Sequence, residues 1–176
     1  MKSRIQVLAP FDPKTGALHV LVETPKGSRC KYAYDEKTGL LRLKKILPAG
    51  MAFPFNFGFV PGTRGGDGDP LDVVVLHEEA LFPGSFVKAR IIGAILAKQR
   101  KKDKLVRNDR LIVEPLIDSP QPKPCNFRIV LKEMKDFFVT AHHLEGRDFK
   151  ILKYVGKREA RSLLNAAIAV ADSEVD

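Results

Sequence analysis

Three carboxylates fall within six residues of one another, at Asp67, Asp69 and Asp72. Like charges at this spacing repel, so we expect a positive partner to neutralise them. Hard divalent cations such as Mg²⁺ prefer oxygen ligands, which Asp side chains supply. Gly68 and Pro70 set a tight backbone path between the carboxylates, and the apolar run that follows would hold Asp72 at the start of a strand. The pattern predicts a divalent-metal site rather than a solvated acidic turn.

An EF-hand calcium loop is the first alternative for these carboxylates. Asp67, Asp69 and Glu78 fit the first, third and twelfth positions of such a loop. Its sixth position requires glycine for a sharp turn, but this chain has Asp72 there. The flanking residues are also typical of strands rather than helices. We therefore exclude this alternative.

Lysines on two neighbouring predicted strands could supply positive charge to the same place. Lys31 lies on the first of these strands, and Lys44 and Lys45 lie at the end of the second. A single lysine in such a position is typical of a solvated surface. Beside clustered aspartates, however, these three side chains are candidate phosphate ligands around a metal site.

The elements that must position these residues are mostly short strands, together with two helices. Residues 48–70 are rich in glycine and proline, and every second residue from Phe53 to Phe59 is phenylalanine, which indicates a functional loop. Strands are predicted at 17–24, 30–34, 40–46, 71–76, 86–96, 110–116 and 149–155, and helices at 129–144 and 157–171. This order predicts a mainly β (α+β) fold, a small β-barrel with helical additions, in a single domain over residues 1–176.

The composition excludes several classes of protein. The 176 residues are 44% hydrophobic and 29% charged, which excludes a disordered chain. There are two cysteines, so a disulfide scaffold and a cysteine-based zinc site are not expected. We find no long apolar run and no secretory leader, so we expect no membrane association and a cytoplasmic location.

The formal net charge of +9 favours binding of anions. Residues 98–110 hold seven basic and two acidic residues, and they are predicted to form the tip of a hairpin. A polyanion such as nucleic acid could bind there through salt-dependent phosphate contacts. Aromatic residues are sparse near this tip, however, and tryptophan is absent from the chain, so nucleic acid is not the expected partner.

Residues 67–73, with the sequence DGDPLDV, resemble the signature of the family I soluble inorganic pyrophosphatases. Further resemblance is carried by the segments VETPKGSRCKYAYDEKTGLL, GMAFPFNFGFVPGT, FPGSFVKARIIG and DFFVTAHHLE. The similarity covers roughly residues 17–146, and it is more specific before Gly93 than after it. On these segments the chain resembles a divergent member of that family.

This resemblance implies a small five-stranded β-barrel of the oligonucleotide-binding type, flanked by helices and ending in a C-terminal helix. It also implies hydrolysis of inorganic pyrophosphate to two phosphates by a metal-activated water. Several Mg²⁺ ions would be held by clustered aspartates, with Mn²⁺ or Zn²⁺ as alternative ions. The resemblance further implies a homo-oligomer, and the hexamer is common among bacterial members.

The functional residues of the family carry over to this chain by position. Asp69 matches the catalytic carboxylate that orients or deprotonates the attacking water, and Glu23 matches a supporting carboxylate. The matching metal ligands are Asp67, Asp72, Asp103 and Asn108, and the matching phosphate-binding residues are Lys31, Lys45 and Arg110.

Several positions depart from the family pattern. Asn108 replaces a metal-binding Asp, unless the neighbouring Asp109 has taken that role. Phe57 cannot donate the phosphate hydrogen bond of the tyrosine that it replaces, a loss of about 1.5–3 kcal/mol. The other departures are Phe53 for tyrosine, Ala33 for glutamate, Lys45 for arginine, Arg110 for lysine, and Ala141-His142 for a tyrosine–lysine pair, with His142 and His143 interpreted as solvated helix residues.

Two functions remain open at this point. The first is metal-dependent hydrolysis of pyrophosphate or a related phosphoanhydride, slower or differently selective than usual because of these departures. The alternative is a non-catalytic, pyrophosphatase-like module that binds nucleic acid or another polyanion through residues 98–110.

Overall fold

The computed structural model describes residues 8–101, 104–118, 127–146 and 148–173, within which there are nine strands and two helices. The strands are β1 (Leu18–Thr24), β2 (Cys30–Asp35), β3 (Leu40–Ile46), β4 (Asn56–Phe59), β5 (Asp72–Val75), β6 (Phe86–Lys101), β7 (Lys104–Arg107), β8 (Arg110–Pro115) and β9 (Phe149–Gly156). The helices are α1 (Phe127–His143) and α2 (Lys157–Ser173). Neither described helix is long and apolar enough to cross a membrane.

Five of the strands form a closed ring. In the order β1-β4-β5-β8-β6 each strand pairs with the next, and β1 also pairs with β6. All of these pairs are antiparallel except the pair of β5 with β8. Closing a sheet on itself removes the free edges of its strands. The five-stranded barrel of the oligonucleotide-binding type, expected from the sequence, is confirmed.

The other strands extend or accompany this ring. β2 and β3 form a separate antiparallel hairpin, as the sequence predicts. β9 pairs with β6, and β7 pairs with the distal end of β6. Residues 98–101 and 104–107 of the basic segment therefore pair with each other as strands, whereas the sequence predicted the whole of 98–110 as a hairpin tip.

The core lies on both faces of the barrel wall, because successive side chains of a strand point to opposite faces. On β5, Val73 and Val75 belong to one buried cluster, whereas Val74 belongs to the other. The first cluster includes residues of α2 and the second includes residues of α1. The buried residues of each helix recur at helical spacing, as Val130, Met134, Phe138 and Ala141 in α1 and Ala160, Leu164 and Ala167 in α2.

The predicted loop over residues 48–70 is wrong for residues 56–59, which form β4. This strand pairs with β1 on one side and with β5 on the other. Gly58 permits the close approach of β1, because a β-carbon there would lie 2.0 Å from the carbonyl oxygen of Leu21. Asn56 is fully buried and bonds to the backbone of two neighbouring loops. The dense glycine and proline around this short strand concealed it.

Candidate active site

The parallel pair β5–β8 brings two charged residues together at one end of the barrel. Asp72, at the start of β5, is the register partner of Arg110, at the start of β8. The Nη2 atom of Arg110 lies 3.4 Å from Oδ2 of Asp72. Because parallel strands begin at the same end of a sheet, these residues meet although they are far apart in sequence.

Aromatic rings hold the guanidinium of Arg110. Its Cζ atom lies 4.3 Å from the ring centroid of Phe138 and 4.9 Å from that of Phe149, within the range of cation–π attraction. Its Nη1 donates a hydrogen bond to the carbonyl oxygen of Asn108 at 2.9 Å. The Arg110 side chain is 7% exposed, whereas that of Asp72 is 41% exposed. The guanidinium of Arg110 is thus buried and ordered, whereas solvent and ligands can reach the carboxylate of Asp72.

Asp67 is held by hydrogen bonds from two side-chain amides. Its Oδ2 accepts from Nδ2 of Asn108 at 2.8 Å and, more weakly, from Nε2 of Gln99 at 3.4 Å. Its Oδ1 accepts the backbone N–H of Asp69 at 3.3 Å. The turn between Asp67 and Asp69 contains Gly68 with a positive φ of 86°, which glycine adopts readily. A good hydrogen bond to a charged group contributes roughly 1.5–3 kcal/mol, so the Asp67 carboxylate is fixed by its own protein neighbours.

Gln99 is a site residue that the sequence analysis missed, because the resemblance points to Asp103 instead. Asp103 lies outside the described residues. Gln99 continues a row of alternate positions on β6 that begins with Ile95 and Ala97, both fully buried. A polar residue at the end of an inward-facing row is the signal that could have identified it.

The structure distinguishes Asn108 from its neighbour Asp109. Asn108 contacts Asp67, whereas Oδ1 of Asp109 accepts the backbone N–H of Ala97 at 2.9 Å. Asp109 also forms a two-point ion pair with Arg107, with N–O distances of 3.1 and 2.6 Å. Asp109 therefore links β6 to the β7–β8 connection. Asn108 is the residue that faces residues 67–72, which we call the aspartate loop.

The oxygen atoms around Asp67 are suitable ligands for a divalent cation, although they do not form a complete coordination shell. Oδ1 of Asn108 is buried and accepts no hydrogen bond from any described residue. A buried amide oxygen without a partner is unfavourable, and a hard cation beside Asp67 would satisfy it. Within the described ranges, no three His, Cys, Asp or Glu side chains converge closely enough to hold a metal. The three-carboxylate cluster expected from the sequence is therefore not preformed.

Glu23 on β1 and Lys31 on β2 add two interacting charges. Oε1 of Glu23 accepts the backbone N–H of Tyr34 at 2.6 Å. Burial raises the pKa of Glu23 to about 7, and the negative charge of Asp72 acts in the same direction. Burial lowers the pKa of the Lys31 ammonium, while Asp72 opposes that shift. The carboxylate of Asp72 thus influences both groups, in addition to its contact with Arg110.

Lys45 is the register partner of Lys31 in the β2–β3 hairpin. Its ammonium forms an ion pair with Glu145, which lies two residues beyond the end of α1. The phosphate ligand expected at this position therefore has a carboxylate partner, which an incoming phosphate would have to displace.

The phenylalanines that replace two tyrosines pack into one aromatic group. The ring centroid of Phe57 lies 5.3 Å from that of Phe53 and 5.6 Å from that of Phe138. Phe137 contacts both Phe53 and Phe57. Because Phe138 lies against the guanidinium of Arg110, this group supports an arginine by packing and donates no hydrogen bond to phosphate.

His142 is not the solvated helix residue that the sequence suggests. Its ring stacks on Phe149 with centroids 4.3 Å apart, and its Nδ1 lies 2.7 Å from the carbonyl oxygen of Phe138. Burial lowers the pKa of His142 to about 4, and the positive charge of Arg110 acts in the same direction. His143 is exposed, as expected.

We expect His142 to destabilise the metal-free protein in mild acid. Its pKa is lower in the folded chain than its usual 6.5, so the unfolded chain binds the extra proton as pH falls from 6.5 towards 4. This group should lower the free energy of unfolding by about 1–2 kcal/mol between pH 7 and pH 5. Urea denaturation at both pH values should show a smaller decrease for His142→Phe than for wild type and His143→Phe. An equal decrease in all three chains would contradict this assignment.

Comparison with known proteins agrees with this geometry. A sequence profile described as inorganic pyrophosphatase matches residues 20–172. The inorganic pyrophosphatase of Sulfolobus acidocaldarius is 34% identical, over 92% of this chain and 95% of its own length. That of Thermus thermophilus is 32% identical, over 92% of this chain and 93% of its own length.

Solved structures show the same likeness. The crystal structure of inorganic pyrophosphatase from Thermus thermophilus has a TM-score of 0.82 at 29% identity, with 97% of this chain and 99% of that chain covered. The enzyme from Neisseria gonorrhoeae has a TM-score of 0.84 at 27% identity, with the same coverage. The chain belongs to the inorganic pyrophosphatase family, and this membership implies a divalent metal cofactor. The resemblance found in the sequence is confirmed, and the polyanion-binding module is not favoured.

Proposed function

We propose that this chain hydrolyses inorganic pyrophosphate to two phosphates with Mg²⁺ as its cofactor, in the cytoplasm. We further propose that residues 1–176 form one domain and that the chain assembles as a homo-oligomer, a hexamer by resemblance. The observation that carries the activity is the parallel register of β5 and β8, which sets the accessible carboxylate of Asp72 against the buried guanidinium of Arg110. One end of the barrel thereby offers oxygen ligands for a cation and positive charge for phosphate.

Carboxylates and one amide would hold the divalent cation. Asp67, Asp72 and the unpartnered amide oxygen of Asn108 are the proposed ligands, Asp103 is a further candidate, and Glu23 has a supporting role. Mg²⁺ is the proposed ion, and Mn²⁺ or Zn²⁺ could replace it. Once bound, the cation would neutralise charge on the pyrophosphate and lower the pKa of nearby water.

Asp69 is the proposed general base. It is exposed on the aspartate loop, and its backbone is fixed because its carbonyl oxygen accepts the N–H of Gly65 at 2.7 Å. Its carboxylate would accept a proton from a water molecule as the water oxygen forms a bond to one phosphorus. The bond from that phosphorus to the bridging oxygen breaks, and the bridging oxygen leaves with the second phosphate.

Lys31, Lys45 and Arg110 would neutralise the charge that develops on the leaving phosphate. Arg110 is already oriented by two aromatic rings, so little of its side-chain entropy remains to be lost. Lys45 must exchange Glu145 for phosphate. This exchange, and the absence of tyrosine hydroxyls at Phe53 and Phe57, should make turnover slower or substrate binding weaker than with the usual ligand set.

Phosphate release from pyrophosphate, with Mg²⁺ titrated from zero to several millimolar, tests the proposal. Turnover should require Mg²⁺ and should fall about 100-fold or more in Asp72→Asn, which loses a ligand charge. Asp172→Asn removes the same charge from the exposed face of α2 and should retain wild-type turnover.

Full hydrolysis by Asp72→Asn would show that the site is assigned wrongly. If a folded sample released no phosphate with Mg²⁺, Mn²⁺ or Zn²⁺, the proposed activity would be wrong. The polyanion-binding module would then become the better account of the chain.

A further inference from the structure

We propose that Gln99 and Asn108 adapt this site to take up its divalent cation together with a substrate anion, so that the substrate-free protein binds free cation weakly. The inference rests on the proposed function, because it concerns the carboxylates of the same site. It assigns a positioning role to two amides, one of which the sequence analysis did not identify.

Hydrogen-bond donors already occupy the carboxylate of Asp67. Two amide N–H groups reach its Oδ2, from Asn108 at 2.8 Å and from Gln99 at 3.4 Å, and the backbone N–H of Asp69 reaches its Oδ1 at 3.3 Å. Each donor competes with a cation for the same lone pairs. Asn108 is 7% exposed, so its amide cannot turn freely to water when a cation arrives.

The charge of the second carboxylate is also partly balanced. Asp72 lies 3.4 Å from the guanidinium of Arg110, which is buried and cannot leave its aromatic cradle without loss of packing. Asp67 and Asp72 carry two negative charges, and Arg110 carries one positive charge. Gln99 and Asn108, which contact Asp67, are neutral. Cation affinity at an oxygen site depends strongly on the number of charged ligands, so this set should bind a free divalent cation weakly.

A polyphosphate anion supplies the charge that the two amides do not. Pyrophosphate would bring several negative oxygens close to Asp72, which contacts Arg110 and interacts with Lys31, and these two cations would neutralise part of the added charge. A cation shared between these oxygens and Asp67 gains charged ligands without any change in the protein. By linkage, each ligand then raises the affinity for the other by the same factor.

Equilibrium dialysis of Mn²⁺ against the full chain tests this inference without turnover. Protein-bound Mn²⁺ is measured at fixed free Mn²⁺, alone and with methylenediphosphonate, whose P–C–P bridge cannot be hydrolysed. The analogue should tighten Mn²⁺ binding by at least about tenfold. Asn108→Asp should tighten binding to the analogue-free chain by at least about tenfold and should reduce the effect of the analogue.

Asn165→Asp adds the same charge on the exposed face of α2 and should leave both affinities unchanged. If Asn108→Asp does not fold, Gln99→Glu decides the question, because it alters the longer and more exposed contact. Tight Mn²⁺ binding by the analogue-free wild type would overturn the inference. So would an Asn108→Asp or Gln99→Glu chain that binds Mn²⁺ no better than Asn165→Asp.

The outcome is separable from that of the proposed function. A chain that shows the expected Mn²⁺ pattern but releases no phosphate would support the inference and contradict the activity. A chain that hydrolyses pyrophosphate but binds free Mn²⁺ tightly would support the activity and overturn the inference.

Discussion

Substitution of Asp69 with asparagine should lower kcat by about 10²–10⁴-fold, the usual contribution of a general base. The asparagine keeps the shape and the backbone N–H of the residue, which the loop uses for its hydrogen bond to Asp67. It cannot accept a proton from the attacking water. Phosphate release at saturating Mg²⁺ and pyrophosphate measures this loss.

Two controls separate the role of Asp69 in proton transfer from a role in cation binding. Asp172→Asn, on the exposed face of α2, should keep wild-type kcat. Dialysis of Mn²⁺ with methylenediphosphonate should give the same affinity for Asp69→Asn as for wild type. An Asp69→Asn chain that keeps more than about a tenth of wild-type kcat would contradict the role of general base.

Substitution of Gly58 with alanine should lower the free energy of unfolding by about 3 kcal/mol or more, which is large for one methyl group. The new β-carbon would lie 2.0 Å from the carbonyl oxygen of Leu21 and 3.0 Å from Cα of Val22. Both neighbours are backbone atoms, so no side chain can rotate away. Relief requires β1 and β4 to separate at the wall of the barrel.

Gly156→Ala is the matched control, because the β-carbon that it adds at the end of β9 has no described atom within 4 Å other than those of residue 156 and its two chain neighbours. In urea denaturation, the midpoint of Gly156→Ala should lie near that of wild type, and the midpoint of Gly58→Ala should lie far below it, provided that enough Gly58→Ala folds to be measured. Equal midpoints for the two variants would show that β1 and β4 can separate at little cost.

The aspartate loop could be predicted from the sequence because its chemistry is local. Three carboxylates lie in one short segment with Gly68, which permits the turn, and Pro70, which restricts the backbone, so no tertiary information is needed to propose a cation site there. The partners of these carboxylates could not be predicted. Gln99 on β6, Asn108 in the β7–β8 connection and Arg110 on β8 reach them from later parts of the chain.

Strand register explains the other differences. Gln99 pairs with Val106 across β6 and β7 and contacts Asp67, which spacing along the sequence did not indicate. Asp103 lies outside the described residues and stays a prediction. Adjacent residues of a chain point in different directions, so composition alone could not separate Asn108 from Asp109. The hairpin β2–β3 and both helices were predictable, because their hydrophobic periods survive in the sequence.

The pairing that closes the barrel also determines when the chain can fold. β1 needs β6 as its partner, and Asp72 on β5 needs Arg110 on β8, so the ring closes through contacts distant in sequence. Such contacts require the entropy of long loops to be lost before any pairing is gained, which makes folding slower than that of a helical bundle of equal size. A growing polypeptide that stops before β8 has an open sheet and half of the site. Its unpaired strand edges would favour aggregation until the remaining strands of the barrel have been synthesised and have left the ribosome.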